Sequence, residues 1–253
     1  MDRTSQHPAL VIHTTAFGES HAYADLLTAD RGFITATAYG VRSQRGSLRG
    51  KVIPFTLGTA YLYYAPRSAT FKITDFDVTR YTLIVRESLE AYYHASLWAE
   101  VLRRTHGGGG DDPEAFLLTC AALEQLAVVG GTATSDRQPF TRLTAQWIWR
   151  YARLLGVQPE LPPAASRRRW FAPGFHGFTD RPAAGSALEL LDRTAQYLHY
   201  TDDLDLKDAW SVPCRPETAR NLLQFIVILA QDLVHGPLNT LSAGWSAFSD
   251  TGQ

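Results

Sequence analysis

At 253 residues, 45% of them apolar, the chain is long enough for one large or two modest domains with a real core. A net charge of −1 excludes a uniformly basic nucleic-acid coat, and two cysteines without framework spacing exclude a disulfide-stapled fold. The charge is uneven, however: residues 1–80 hold nine Lys/Arg against six Asp/Glu, a local +3, while the remainder holds 15 against 19. A local basic field on a neutral protein suits a polyanionic partner, because the nearby field matters more than the total. Scarce cysteine points to a reducing cytosol. Met1 to Gln6 has no apolar signal core, and the longest strongly apolar run, Phe225 to Ala230, is too short to span a bilayer.

Residues 9–79 read as β. Leu10–Thr14 is an extended run ending at Phe17-Gly18, Ala22–Thr28 follows, and Asp30-Arg31-Gly32 is a turn. Phe33–Tyr39 alternates, Phe55–Tyr64 is rich in aromatics, and Ala69–Val78 closes the set. Five short strands separated by turn signals predict a small barrel, the strand count of an oligonucleotide-binding barrel; such barrels also serve as packing modules.

One tract within these strands carries chemistry. Arg31 to Lys51 runs from the alternating strand into a Gly/Ser loop bearing Arg42, Arg45, Arg49 and Lys51, with no acidic residue between. Tyr39 offers a ring on which a base can stack, the glycines let backbone approach a sugar-phosphate chain, and cations spaced along a mobile loop grip phosphates without reading sequence. The alternative is a solvated hairpin tip.

After Thr79 the period changes to helical, which sets domains at 1–80 and 81–253. Leu89, Tyr92, Tyr93, Leu97 and Val101 predict one buried helix face. Gly107–Gly110 is a break, and Asp112-Pro113-Glu114 is a capped helix start running on to Val129, through a buried Cys120. A third helix spans Pro139–Leu155, with Gly156 as its cap. Residues 157–185, rich in Arg, Pro and Gly, predict an irregular excursion; helices resume at Ser186–Tyr200 and Glu217–His235.

On the third helix, Phe140, Leu143, Trp147, Tyr151 and Leu154 share the core face, while Arg142, Gln146, Trp149 and Arg153 share the opposite one, with Arg150 at its edge. An exposed Trp149 flanked by arginines suits a nucleic-acid backbone or an acidic peptide with an aromatic end. Alternatively Trp149 packs under a neighbouring helix and the arginines pair with acids such as Glu124 or Glu189. Arg167-Arg168-Arg169-Trp170-Phe171 either touches phosphates or plugs a core gap with its rings.

Catalytic signatures are missing: there is no Walker loop, no dinucleotide glycine fingerprint and no His-Glu-x-x-His. Ser20 with His13 and His21 tempts a hydrolase reading, but a serine in a strand-to-strand turn lacks the strained elbow that exposes a nucleophile. Asp202, Asp203 and Asp205 read as an acid-rich helix start and His176 as a lone residue, so no metal and no cofactor is expected.

Taken in order, several segments resemble the RecO family of bacterial recombination mediators. They are Leu10–Ser20, Leu27–Gly32, Ala36–Arg42, Tyr92–Glu100 and Leu154–Leu161. The resemblance implies an α+β protein, a five-stranded OB-fold barrel followed by an all-α domain. It implies binding to single- and double-stranded DNA, annealing of complementary strands, and partnership with RecR and single-stranded DNA-binding protein (SSB) in loading RecA. It implies no bond-breaking chemistry, no membrane association, and a cytoplasmic place with the nucleoid. On this reading Arg31, Tyr39, Arg42, Arg45, Arg49 and Lys51 hold DNA. Arg142, Trp149, Arg150, Arg153, Arg167, Arg168 and Arg169 are candidates for a second DNA contact or for the acidic SSB tail. Many relatives place two C-x-x-C pairs after the segment ending at Leu161. Here residues 162–177 hold no cysteine, so a tetrahedral zinc site cannot form there, and Trp170, Phe171, Phe175 and Phe178 are candidates for an apolar substitute.

Overall fold

A computed structural model describes residues 3–106, 112–131, 137–163, 166–167, 169–174, 177–182 and 188–242. These divide into two compact units, one running to Glu87 and including the segment up to Glu124 that follows His106, the other made of Ser88–Thr105 and the chain from Gln125 onward. By contacts, residues 113–124 of the helix at Pro113–Gly131 group with the barrel.

In the first unit, β1 (Thr4–Phe17), β2 (His21–Thr28), β3 (Gly32–Ala38), β4 (Thr56–Ala65) and β5 (Thr70–Tyr81) close into a barrel of order β1-β2-β3-β5-β4. Every pairing is antiparallel except β3 with β5, where Ala36, Thr37 and Ala38 lie beside Phe71, Lys72 and Ile73. This is the expected OB-fold barrel. Alternation places Ala9, Ala22, Ala24, Ala36, Ala38 and Ala60 inside with Leu26, Leu62, Ile73 and Phe76, and this mix of small and large side chains fills a narrow taper. Gly58 sits where β5 crosses closely: a Cβ there would lie 2.3 Å from the Asp77 carbonyl oxygen and 2.6 Å from the Phe76 ring.

The second unit is helical. The short α1 (Ile84–Glu87) belongs to the first unit, and in the second α2 (Leu89–Thr105) buries Ala91, His94, Ala95, Leu97, Trp98, Val101 and Leu102. Of the predicted face Leu97 and Val101 are buried, whereas Leu89 (63% exposed) and Tyr92 point outward. Next come α3 (Pro113–Gly131), whose start is capped by Asp112 accepting from the Ala115 N–H at 3.0 Å, and α4 (Gln138–Leu154). Cys120 is half-buried, and burial pushes its thiol up to about 12. Among the described residues α3, rather than the Phe225–Ala230 run, is the one helix long and apolar enough to cross a membrane. A core helix passes the same test, and Phe116, Leu123, Leu126 and Val129 are buried.

The excursion is more ordered than its composition predicts. β6 (Trp170–Ala172) pairs with β7 (Gly177–Thr179) and β8 (Leu188–Glu189) in a three-stranded sheet. Because Leu188 and Glu189 pair with β6, the following helix α5 starts at Asp192 rather than Ser186 and ends at Asp202. α6 (Leu206–Ser211) and α7 (Pro216–Leu233) complete the unit. Asp205 caps α6, accepting from the Asp208 N–H at 2.8 Å, as the acid-rich helix start predicts. Phe171, Phe178 and Phe225 meet with ring centroids 5.1–5.9 Å apart, and Asp232 accepts from the Gly174 N–H at 2.6 Å. An apolar cluster and a buried carboxylate thus hold this cysteine-free segment; Phe175 and His176 lie outside the described residues.

His94 gives this unit a pH dependence. It is buried on α2, stacked on Phe140 and bonded to the Thr144 hydroxyl at 2.6 Å. Burial lowers its pKa from 6.5 to about 3. The unfolded chain therefore binds the extra proton first, and stability is lost as pH falls from about 6.5 towards 3, by about 1 kcal/mol per pH unit. Urea titrations from pH 7 to 4.5 should show this slope, and it should flatten in His94→Leu; an unchanged slope would assign the acid sensitivity to other groups.

Candidate nucleic-acid interface

The loop from Gly40 to Phe55 is built from hydrogen-bonded turns. Successive turns bond Ser43 N–H to Gly40, Gly46 N–H to Ser43, Arg49 N–H to Gly46 and Lys51 N–H to Leu48, at 2.9–3.2 Å. Val41, Leu48 and Val52 are buried in the barrel core, so the loop plugs one end of the barrel. Gly46 permits this packing, since a Cβ there would lie 1.9 Å from the Gly40 carbonyl oxygen. With the apolar side chains turned in, Arg42, Arg45 and Arg49 are left exposed, and none of the three forms an ion pair among the described residues.

Two cations of the tract stand elsewhere. Lys51 donates to Asp75 of β5 at 2.8 Å; that carboxylate holds the ammonium pKa above its ordinary value, and the bond lowers that of Asp75. Lys51 is a loop anchor with its charge matched, not a free phosphate contact. Arg31 precedes β3 while Arg42 follows it, so the strand's seven residues, roughly 20 Å, come between them. Arg31 instead lies over the Phe71 ring at 5.7 Å.

Beside the loop the barrel wall carries an aromatic row. Tyr39, 47% exposed, has the His21 ring edge-on at 5.0 Å and the Lys72 ammonium 5.5 Å from its centroid. The Phe17 ring lies 6.3 Å from His21 and 4.8 Å from Tyr23, and both Phe17 and Tyr23 are exposed. Partly exposed rings beside cations on a sheet offer stacking and phosphate neutralisation together. Phe17, Tyr23 and Lys72 were not picked out by sequence reasoning. Tyr23 was accessible to it, being the outward residue between the inward Ala22 and Ala24; Lys72 was not, because its approach to Tyr39 depends on the parallel β3–β5 pairing.

Residues 1–81 match the family described as Recombination protein O N terminal, and residues 86–242 match Recombination protein O C terminal. The chain belongs to the recombination protein O family. Similar curated proteins include three named DNA repair protein RecO. That of Desulfosudis oleivorans is 31% identical over 98 residues, 38% of each chain. That of Chromobacterium violaceum is 26% identical over 63% of this chain and 60% of its own. That of Rubrobacter xylanophilus is 26% identical over 70% of this chain and 71% of its own. The chain thus aligns with less than two thirds of the first two of these relatives.

Family membership does not restore the stripe on α4. Trp149 is 2% exposed and donates its indole N–H to Asp202 at 2.7 Å, and Arg153 pairs with the same carboxylate. Arg142 is buried and donates to the Trp210 carbonyl at 2.9 Å; Arg150 donates to the carbonyls of Thr201 and Leu204 at 3.1 and 2.7 Å. The expected exposed stripe is a seam: α4 is central, packed on α2 through Trp98, Trp147 and Tyr151 on one face and on α6 and α7 on the other. Periodicity correctly separated two faces but could not show that both are covered. In the basic run, Arg169 pairs with Asp192 at 2.9 Å, Phe171 is buried, Arg167 is exposed and Arg168 lies outside the described residues.

The Ser20 reading does not assemble a hydrolytic site. Ser20 Oγ is 3.2 Å from His21 Nδ1, but the Gly40 N–H donates to that same nitrogen at 3.0 Å, so it is not free to act as base. A chain of the triad type does occur elsewhere: Ser5 Oγ is 2.8 Å from His7 Nε2, and His7 Nδ1 is 2.8 Å from Asp30. Ser5 lies within the regular run of β1, without the sharp turn that presents a nucleophile, and His7 ties the β2–β3 turn to β1. Among the described residues no group of three His, Cys, Asp or Glu could hold a metal ion.

Proposed function

We propose that the chain is a non-catalytic DNA-binding mediator of recombinational repair. It binds single- and double-stranded DNA through the barrel, anneals complementary strands and, with RecR, helps load recombinase onto SSB-coated DNA. The observation that carries the reading is the pairing of the arginine loop with the open aromatic row on an OB barrel, in a member of the recombination protein O family. Arg42, Arg45 and Arg49 neutralise phosphates, and Tyr39 with its neighbours stacks bases. Charge repulsion opposes annealing, and a basic surface that reads few base edges lowers this cost while leaving pairing faces free.

The test is fluorescence anisotropy of a labelled single strand over a salt series. Affinity should fall with log salt at roughly −0.7 per phosphate contact. Tyr39→Ala should keep this slope yet lose about 1 kcal/mol or more, since stacking is insensitive to salt. Absent or salt-insensitive DNA binding would instead favour a protein–protein adaptor whose barrel meets another protein.

A further inference from the structure

A second cationic cluster lies at the other mouth of the barrel. Tyr64, at the end of β4, and Phe71, at the start of β5, meet with centroids 5.2 Å apart, and Tyr64 is 39% exposed. Three exposed arginines lie on the segments around this pair. The Arg3 carbonyl accepts the Tyr64 N–H at 2.8 Å, Arg31 lies over Phe71, and Arg67 sits in the hairpin between them. None of the three forms an ion pair among the described residues, and Asp30, the carboxylate beside Arg31 in sequence, is bound by His7. Phe71 and Lys72 are consecutive strand residues, so their side chains leave opposite faces of β5. The mouth cluster on Phe71 is therefore divided from the wall cluster on Lys72 and Tyr39 by the strand itself.

We infer that this mouth is a second single-strand site, with Arg3, Arg31 and Arg67 taking phosphates and Tyr64 taking a base. The inference rests on the proposed DNA binding and deepens it: one barrel holds two strands at once, one at the mouth beside Tyr64 and one on the wall beside Tyr39. Annealing then becomes a search between strands already on the same molecule, which an effective-concentration gain accelerates.

The experiment mixes equimolar protein with two non-complementary single strands, one carrying a donor fluorophore and the other an acceptor. Wild type should give energy transfer between them. In Arg3→Ala/Arg67→Ala, anisotropy of one strand alone should change by no more than about twofold, the sites being independent. Energy transfer should nevertheless fall to background, and annealing of complementary strands should slow. Tyr64→Ala should weaken transfer without altering its salt dependence. Undiminished transfer in the double variant overturns the second site, as does a wild type that binds one strand but never two. If wild type binds no strand, the mediator reading fails first and the inference with it.

Discussion

Trp149→Ala should destabilise the helical unit by about 3–5 kcal/mol, the range for removing a buried large aromatic side chain. Trp149 is among the largest fully buried side chains, with the Phe225 ring 6.1 Å away and its N–H on Asp202. Deletion opens a cavity beside Phe225 and leaves Asp202 with Arg153 as its partner on α4 among the described residues. Trp149→Phe keeps most of the volume and loses only the N–H, so it should cost about 1–2 kcal/mol. Urea unfolding, followed by far-ultraviolet circular dichroism, separates these values. A loss below about 1 kcal/mol for Trp149→Ala would mean that the seam between α4 and its neighbours is not tightly packed. Any loss of partner binding in this variant would report unfolding before it reported a lost contact.

Trp149 also marks where sequence reasoning stops. Local signals were sufficient for the barrel: alternation in β4, turn residues between strands, and the alanines that line the interior all lie close together in sequence. They were sufficient for helix ends as well, as Asp112 and Asp205 show. What they could not show was pairing at long range. Lys51 belongs to Asp75, 24 residues away, and Trp149 belongs to Asp202, 53 residues away. A cation in a polar loop and a tryptophan on a polar helix face carry no local mark of a partner. The same limit hid the sheet of β6, β7 and β8, whose two- and three-residue strands are too short to establish a period. The aromatic row fell between these cases: Tyr39 was legible, but its company with His21 and Lys72 needed the closed barrel.

That difference between free and committed cations supplies the second large effect. Arg42→Ala/Arg45→Ala/Arg49→Ala should reduce the salt slope of single-strand binding by about 2, three contacts at roughly 0.7 each. At 0.1 M salt the corresponding loss of affinity is on the order of 100-fold. The fold should survive, because the side chains that plug the barrel are Val41, Leu48 and Val52 and the arginines are exposed. Lys51→Met supplies the contrast. It too removes positive charge beside the loop, but that charge is matched by Asp75, so the salt slope should hold while the loop loses its anchor to β5. Anisotropy titrations of the triple and single variants decide between a phosphate grip and a diffuse attraction. Equal loss per charge removed would mean that the barrel's summed field binds DNA; loss confined to the triple variant would assign the grip to the loop arginines. Unchanged slopes in both would move the DNA contact away from the loop, towards the mouth formed by Arg3, Arg31 and Arg67.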